Sequence, residues 1–589
     1  MPTSNVRGMR TRLLTLLLAS VALVAMVATS APALTAGLSS VDSGAQQATL
    51  REDGDWTEHY FPAGDGVTML HADVIRPAGY DLTDAQPTPV ILTVSPYTNH
   101  NGSTTDTDLS GVGPNPRFFD FLDRSQALDP DRDGGAYTYV AVDLPGDGGS
   151  GECNDWGGLR EQDAVRAAVE WAASQDWSTG KVGMLGKSYD GWTGLMGIAQ
   201  QPKGLAAVAS LEPVYSGYRY IYNNSIHRSS TLATIGLFQV IDAKPGRPGD
   251  EPQYLVNSAP QAWCYGVNLA GSNADLYENG PYWEERNLLL TTIGRTTPLF
   301  LTQGFLETNT LSDAAFQYYN GLAGSQNRAW YGQFDHVRGW EQENEAAQEG
   351  DYLTGRDTFM DELMRFFDLH LKDITPDVDD APIVVQDIRG RYRDEAQWPP
   401  ADMRSYTTSL NAGSYTDNGS GNLLTAPADG IWTVSEPLAH DVWFAGEPSV
   451  TVRVDGDTLP TANLSVGVYE ITSDNQAYMI SRGVTLLHGT GARNVSLQMM
   501  GQDWPIPAGS RIGVVVTDAD TSQFTHVASR TTVDVVSADI RLPFLTEDRT
   551  EFGPGDSTAR LEQYMGQTGR PLAVQPGMVT DFTLPGPLQ

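Results

Sequence analysis

Residues 186–191 read Gly-Lys-Ser-Tyr-Asp-Gly and directly follow the apolar run 181–185, KVGML. A serine on a sharp strand-to-helix turn can carry its hydroxyl clear of the backbone and attack an acyl carbon, with glycines relieving the close contacts of the turn. The usual spacing is G-x-S-x-G. Here Asp190 occupies the second glycine position and Gly191 comes one residue later. By itself the stretch fits either a nucleophile elbow centred on Ser188 or an ordinary Gly-rich turn.

A serine nucleophile needs an acid and then a histidine later in the chain, each at the end of a strand. Three histidines follow Ser188 before the composition turns all-β: His227, His336 and His370. His227 falls in a segment that reads as an insertion, and His370 lies on the helical pattern MRFFDLHLKD. His336 stands just past RAWYGQF, where a loop would present it. For the acid, PLFLTQGFLETNT offers Glu307, with Asp313 as second choice. Taken singly, each of these side chains also reads as a solvated loop residue. Together, in the order serine, acid, histidine on successive strand ends, they point to acyl transfer.

The elements that must position them alternate. PVILTV (89–94), YTYVAVD (137–143), KVGML (181–185), LAAVASL (205–211), TPLFLT (297–302) and RAWYGQF (328–334) read as buried strands. Between the second and third, Val165, Ala168, Val169 and Ala172 recur at helical spacing. Strand–helix alternation predicts an α/β domain with a parallel sheet over residues 51–380. The stretch 214–296 breaks the alternation, is rich in Tyr, Asn, Trp and Gly, and is too long for a connection; it is expected to be a cap inserted over the catalytic edge. From 381 to 589, runs such as SVTVRV, LSVGVY and RIGVVV between Gly, Asp, Asn and Pro predict a β-sandwich or jelly roll.

These residues resemble the Xaa-Pro dipeptidyl-peptidase and cocaine-esterase-like serine hydrolases, over nearly the whole of the chain that follows the N-terminal segments. GKSYDG is similar to that family's G-x-S-Y-x-G elbow, in which the second glycine is also late. GFLETN resembles its acid motif with Glu307 in place of the family's Asp, and QFDHVRG resembles its base segment. VSPYTNH matches its early Pro-Tyr pair. The resemblance implies that the Tyr97 hydroxyl and the Tyr189 backbone N–H stabilise the oxyanion. It also implies an α/β-hydrolase fold followed by an all-β jelly-roll (galactose-binding-like) domain, and either release of N-terminal Xaa-Pro dipeptides or hydrolysis of small acyl esters and amides. IRGRYRDEAQWPP and SEPLAHDVWFAG resemble the entry to the jelly roll.

A dipeptidyl-peptidase needs a carboxylate for the substrate ammonium and a flat pocket for proline. Glu212, just after LAAVASL, and Tyr215 and Tyr218 behind it meet both needs, with packing of the cap as the alternative. A reading of another class is an inactive hydrolase fold that binds carbohydrate, in which Asp455, Asp457, Asp518 and Asp520 could hold Ca²⁺ or simply serve polar turns.

Charge and leader segments bound the setting. Arg7, Arg10 and Arg12 precede the apolar stretch 13–27 and Ala31-Pro32-Ala33, the pattern of a signal peptide over 1–33, and 34–50 reads as a flexible leader. Removing those arginines takes the formal charge from −36 to −39, which argues against nucleic acid and, after signal cleavage, membrane as partners. The expected partner is a peptide or small acyl substrate and the expected location extracellular. The two cysteines, Cys153 and Cys264, suggest one disulfide pinning the cap to the sheet domain, two buried thiols being the alternative. Without CxxC pairs or a local histidine cluster, neither a metal nor a cofactor is expected.

Overall fold

The computed structural model describes residues 54–584 apart from 78–85, 101–117, 239–245, 248, 259–261, 325, 345–348, 581 and 583. The expected signal peptide and leader lie outside the described residues. A ten-stranded sheet organises the first two thirds of the chain. Its strands are β1 (Gly54–Pro62), β2 (Met69–Pro77), β3 (Thr88–Ser95), β4 (Thr138–Asp143), β5 (Ser178–Lys187), β6 (Leu205–Leu211), β7 (Leu299–Gly304), β8 (Arg328–Gly332), β9 (Ile383–Gln386) and β10 (Tyr392–Glu395). Their spatial order is β1-β2-β4-β3-β5-β6-β7-β8-β9-β10. From β4 to β9 all neighbours are parallel, and antiparallel hairpins close both edges.

The parallel strands are apolar runs because both their faces are covered. Helices α1 (Leu159–Ala173) and α2 (Tyr189–Gln200) bury Val165, Ala168, Val169, Trp192, Leu195 and Met196 on one side. Helix α3 (Phe359–Lys372) covers the other with Leu363, Phe366 and Phe367. The edge hairpin β1–β2 and the strands β9 and β10 went unread in the sequence. They carry the α/β sheet to Glu395, past the boundary expected at 380, so that IRGRYRDEAQWPP ends the sheet instead of entering the sandwich.

The stretch between β6 and β7 leaves from the C-terminal edge of the sheet, where Ser188 also lies. Among its described residues are short helices, including Gly217–Ile221, Thr234–Phe238 and Pro252–Asn257. Residues 403–571 add two antiparallel sheets, of seven and five strands, around their own apolar core, a jelly-roll-like sandwich. It meets the α/β domain through apolar contacts, such as Ile226 and Leu311 with Val484 and Phe524, and through polar ones. Arg393 on β10 forms a buried two-pronged pair with Asp503 at 2.8 and 2.7 Å. Arg560 reaches Asp335, beside His336, at 3.0 Å. No helix among the described residues is long and apolar enough to cross a membrane.

Candidate active site

Ser188 ends the turn between β5 and α2 with φ 65° and ψ −119°, a conformation costly for a side-chain-bearing residue and one that sets it apart from both flanking elements. Its N–H donates to Leu211 O at 2.9 Å, fixing the turn against the end of β6. The glycines explain the unusual spacing. A Cβ on Gly186 would lie 2.0 Å from the Asp190 carbonyl oxygen, so the first glycine alone makes room for the residue that follows the elbow. At Gly191 a Cβ would come within 3.0 Å of Pro213 and 3.1 Å of Leu211 O, so the late glycine lets α2 pack closely on the segment after β6.

His336 follows β8 and is 19% exposed, while Glu307, in the loop after β7, is fully buried. His336 Nδ1 lies 2.6 Å from Glu307 Oε2. The Asn309 N–H donates to the other carboxylate oxygen. Burial alone would raise the Glu307 carboxyl, but the charge and hydrogen bond of His336 outweigh it and hold the group down to about 2. Asp313 instead faces Asn223, whose side-chain amide donates to it at 3.3 Å. The structure therefore pairs the histidine with Glu307.

Tyr97 stands half-buried just beyond β3, and its ring centroid lies 5.9 Å from that of Phe238 in the inserted segment. Tyr189 packs on the same Phe238 at 4.7 Å. The Tyr189 N–H opens α2, where the first helical donors have no intrahelical acceptor. Its hydroxyl is tied elsewhere, donating to Glu161 Oε2 at 2.7 Å. Glu161, which the sequence reading passed over, also accepts from the N–H groups of Asp155 and Gly157. Burial, followed by the nearby Asp155 charge, pushes its carboxyl up to about 8. It acts on the elbow through Tyr189, as a positioning residue.

Glu212 does not occupy the place expected of an ammonium-binding residue. It is fully buried with φ 45°, and its carboxyl oxygens accept the Gly304 N–H at 3.1 and 3.0 Å and the Gln303 amide at 3.2 Å. Its own carbonyl lies 2.9 Å from Thr310 Oγ1, which is 3.2 Å from Glu307 Oε2. The left-handed backbone turns the side chain down into the strand ends, where it braces the acid loop. Burial and the neighbouring Glu307 charge raise its carboxyl well above the ordinary range. Tyr215 and Tyr218 are likewise buried, donating to Gln303 Oε1 at 2.9 Å and to Leu276 O at 3.0 Å. These are packing roles. Tyr220 remains partly exposed, and its hydroxyl donates to Asn309 on the acid loop at 2.9 Å.

Cys153 is disulfide-bonded; the side chain of Cys264, the chain's other cysteine, lies outside the described residues. The aspartates considered for Ca²⁺ serve their own turns. Asp518 accepts backbone N–H groups from 418–421, Asp520 pairs with Arg482 at 2.8 Å, and Asp455 and Asp457 accept from Gly456 and Leu459.

The sequence profile of the X-Pro dipeptidyl-peptidase (S15 family) matches residues 65–338, a span that holds Ser188, Glu307 and His336. Over that span the chain is similar to this family. A Streptomyces avermitilis protein named "Putative Xaa-Pro dipeptidyl-peptidase" is 25% identical over 469 residues, 70% of this chain. The match spans 63% of that relative's length. Among solved structures, a CocE/NonD family hydrolase from Staphylococcus aureus superposes with a TM-score of 0.62 at 14% identity, covering 83% of this chain and 93% of that one. An α-amino acid ester hydrolase superposes with a TM-score of 0.60 at 17% identity, covering 87% and 99%. The matched residues thus sit in an α/β-hydrolase followed by an all-β region, a fold shared with both structures.

Proposed function

We propose that the protein is a secreted serine hydrolase that cleaves acyl substrates through a covalent Ser188 ester. The observation that carries this reading is the His336–Glu307 contact of 2.6 Å on the sheet edge that also bears the Ser188 elbow. His336 takes the hydroxyl proton as Ser188 attacks, and returns it to the leaving group; Glu307 holds the ring and its developing charge. The oxyanion is received by the Tyr189 N–H and the Tyr97 hydroxyl, each donor being worth roughly 3–4 kcal/mol of barrier.

For the substrate we propose an N-terminal Xaa-Pro dipeptide, in keeping with the family match and the Streptomyces relative. Hydrolysis of small acyl esters is the second reading. It is favoured by the burial of Glu212, which withdraws the carboxylate expected to hold the substrate ammonium. Steady-state rates for an Xaa-Pro anilide and an aryl ester on one preparation, with fluorophosphonate labelling of Ser188, test both levels. Labelling with ester turnover alone selects the second reading. Absence of labelling and of both activities overturns the serine-hydrolase reading itself.

A further inference from the structure

We propose that Glu58, His71, Asp73 and His100 form a structural site for a divalent transition-metal ion of the zinc class. The four come from three segments: Glu58 from β1, His71 and Asp73 from β2, and His100 from the loop after β3. In the β1–β2 register Glu58 lies opposite Asp73, and His71 is two residues from Asp73, so the strand pleat puts all three on one face. One donor atom from each of the four lies within 4.8 Å of the others.

The histidines present their Nε2 atoms to this centre because their other nitrogens are held from behind. His71 Nδ1 is 2.8 Å from Asp143, and His100 Nδ1 is 2.8 Å from Asp250. Carboxylates in that position fix the tautomer that keeps the Nε2 lone pair free, the usual support of a metal-bound imidazole. The stacked Tyr254 ring, 4.0 Å from that of His100, fixes its plane.

The distances separate a metal site from a plain network of ion pairs. Both Nδ1 contacts have the length of hydrogen bonds. The Nε2 contacts are longer: 3.2 Å from His71 to Glu58, 3.2 and 3.3 Å from His100 to Asp73, 3.9 Å from His71 to Asp73 and 4.0 Å from His100 to Glu58. A charge-assisted N–H···O bond would close to about 2.7–2.9 Å. Ligand bonds of about 2.0–2.1 Å to a tetrahedral ion place neighbouring donors ~3.3 Å apart, close to the spacing here. Two imidazoles and two carboxylates are a donor set suited to zinc. The histidines are 1% exposed and Glu58 18%, so the centre is closed, as structural sites are.

No metal is expected from the sequence, where the six participating residues span positions 58 to 250 with no local spacing. An ion here would tie the edge hairpin to the loop that carries Tyr97, three residues before His100. Through Asp250 it would reach the inserted segment as well. It would stabilise that loop without touching substrate.

The test uses the full secreted chain, stripped with chelator and titrated with zinc or cobalt(II). About one equivalent of zinc should be bound, cobalt(II) should give the intense visible bands of a tetrahedral site, and the melting temperature should rise with zinc and fall with chelator. Asp250→Asn, which leaves all four ligands in place, should weaken zinc binding by roughly 10–100-fold. A wild-type chain with no stoichiometric zinc, no tetrahedral cobalt spectrum and no metal-dependent melting shift would overturn the site. So would zinc binding unchanged in both Asp250→Asn and Glu58→Gln. The wild-type measurements decide even where a variant does not fold.

Discussion

Two histidine–carboxylate assemblies occupy the same sheet, and they are built in opposite ways. On the C-terminal edge, His336 has one ring nitrogen against Glu307 and keeps part of its surface exposed. At the edge hairpin, His71 of β2 and His100 of the loop after β3 have carboxylates on both ring nitrogens and almost no exposure. The first arrangement leaves an imidazole with an open nitrogen on the sheet edge that also carries the half-buried Ser188. The second is closed to solvent and gathers its Nε2 atoms with two carboxylates around one centre, where it can hold segments together. An imidazole's chemistry is decided by which of its nitrogens the fold leaves open.

If the edge site is the reactive one, its variants should lose rate and keep stability. Ser188→Ala should lower kcat for any accepted substrate by at least roughly a thousandfold, with an unchanged melting temperature and no fluorophosphonate labelling. Activity within tenfold of wild type would remove Ser188 from the chemistry.

The next effect separates the two candidate acids. Glu307→Gln removes the charge that holds the His336 tautomer and should cost about a hundredfold to ten-thousandfold in kcat. Asp313→Asn should stay within about fivefold, because that side chain faces Asn223 and makes no contact with the histidine. Reversed losses would mean that the 2.6 Å contact is not the working pair.

How much of this was legible in the sequence depended on whether a role is written locally. The placement of Ser188, Glu307 and His336 was readable because each sits at a strand end recognisable from a short apolar run, and the order of the three is itself a constraint. Glu212 stands at such a strand end too, yet its left-handed backbone turns the carboxyl inward, and no composition signal marks that reversal. Glu161 carries no signal of its role, since the loop that folds over it lies outside the helical pattern. The hairpin histidines were invisible because their partners arrive from four separate segments. The start of the sandwich was misplaced for a related reason. Strands β9 and β10 have the length and composition of sandwich strands, and only their pairing assigns them to the α/β sheet.

A smaller effect comes from Glu212, which braces the acid's loop from the end of β6 but does not share its task. Glu212→Gln puts an amide donor where a carboxyl oxygen accepts from Gln303 or Gly304, so it should cost about 1–3 kcal/mol of stability. Any loss of kcat/KM should be the same factor for an Xaa-Pro anilide and a neutral aryl ester. A loss confined to substrates with a free N-terminus would restore Glu212 as the ammonium-binding residue.

The smallest expected effect tests the brace behind the elbow through its pH dependence. Folded Glu161 holds its proton up to about 8, against an ordinary value of 4.5. Between those values the unfolded chain has lost a proton that the folded chain keeps, so stability must fall as pH rises. The contribution is fully present below about 4.5 and is lost as pH passes through about 8. Glu161→Gln cannot titrate and lacks that slope. Its melting temperature should therefore lie furthest below wild type near pH 5, and the gap should narrow toward pH 9. Because Tyr189 donates to this carboxyl at 2.7 Å, the variant should also loosen the residue next to Ser188. A gap that stays constant across the range would mean that Glu161 is already ionised in the folded protein. The support for Tyr189 would then be an ordinary charged hydrogen bond, and the elbow would owe nothing to a protonated carboxyl.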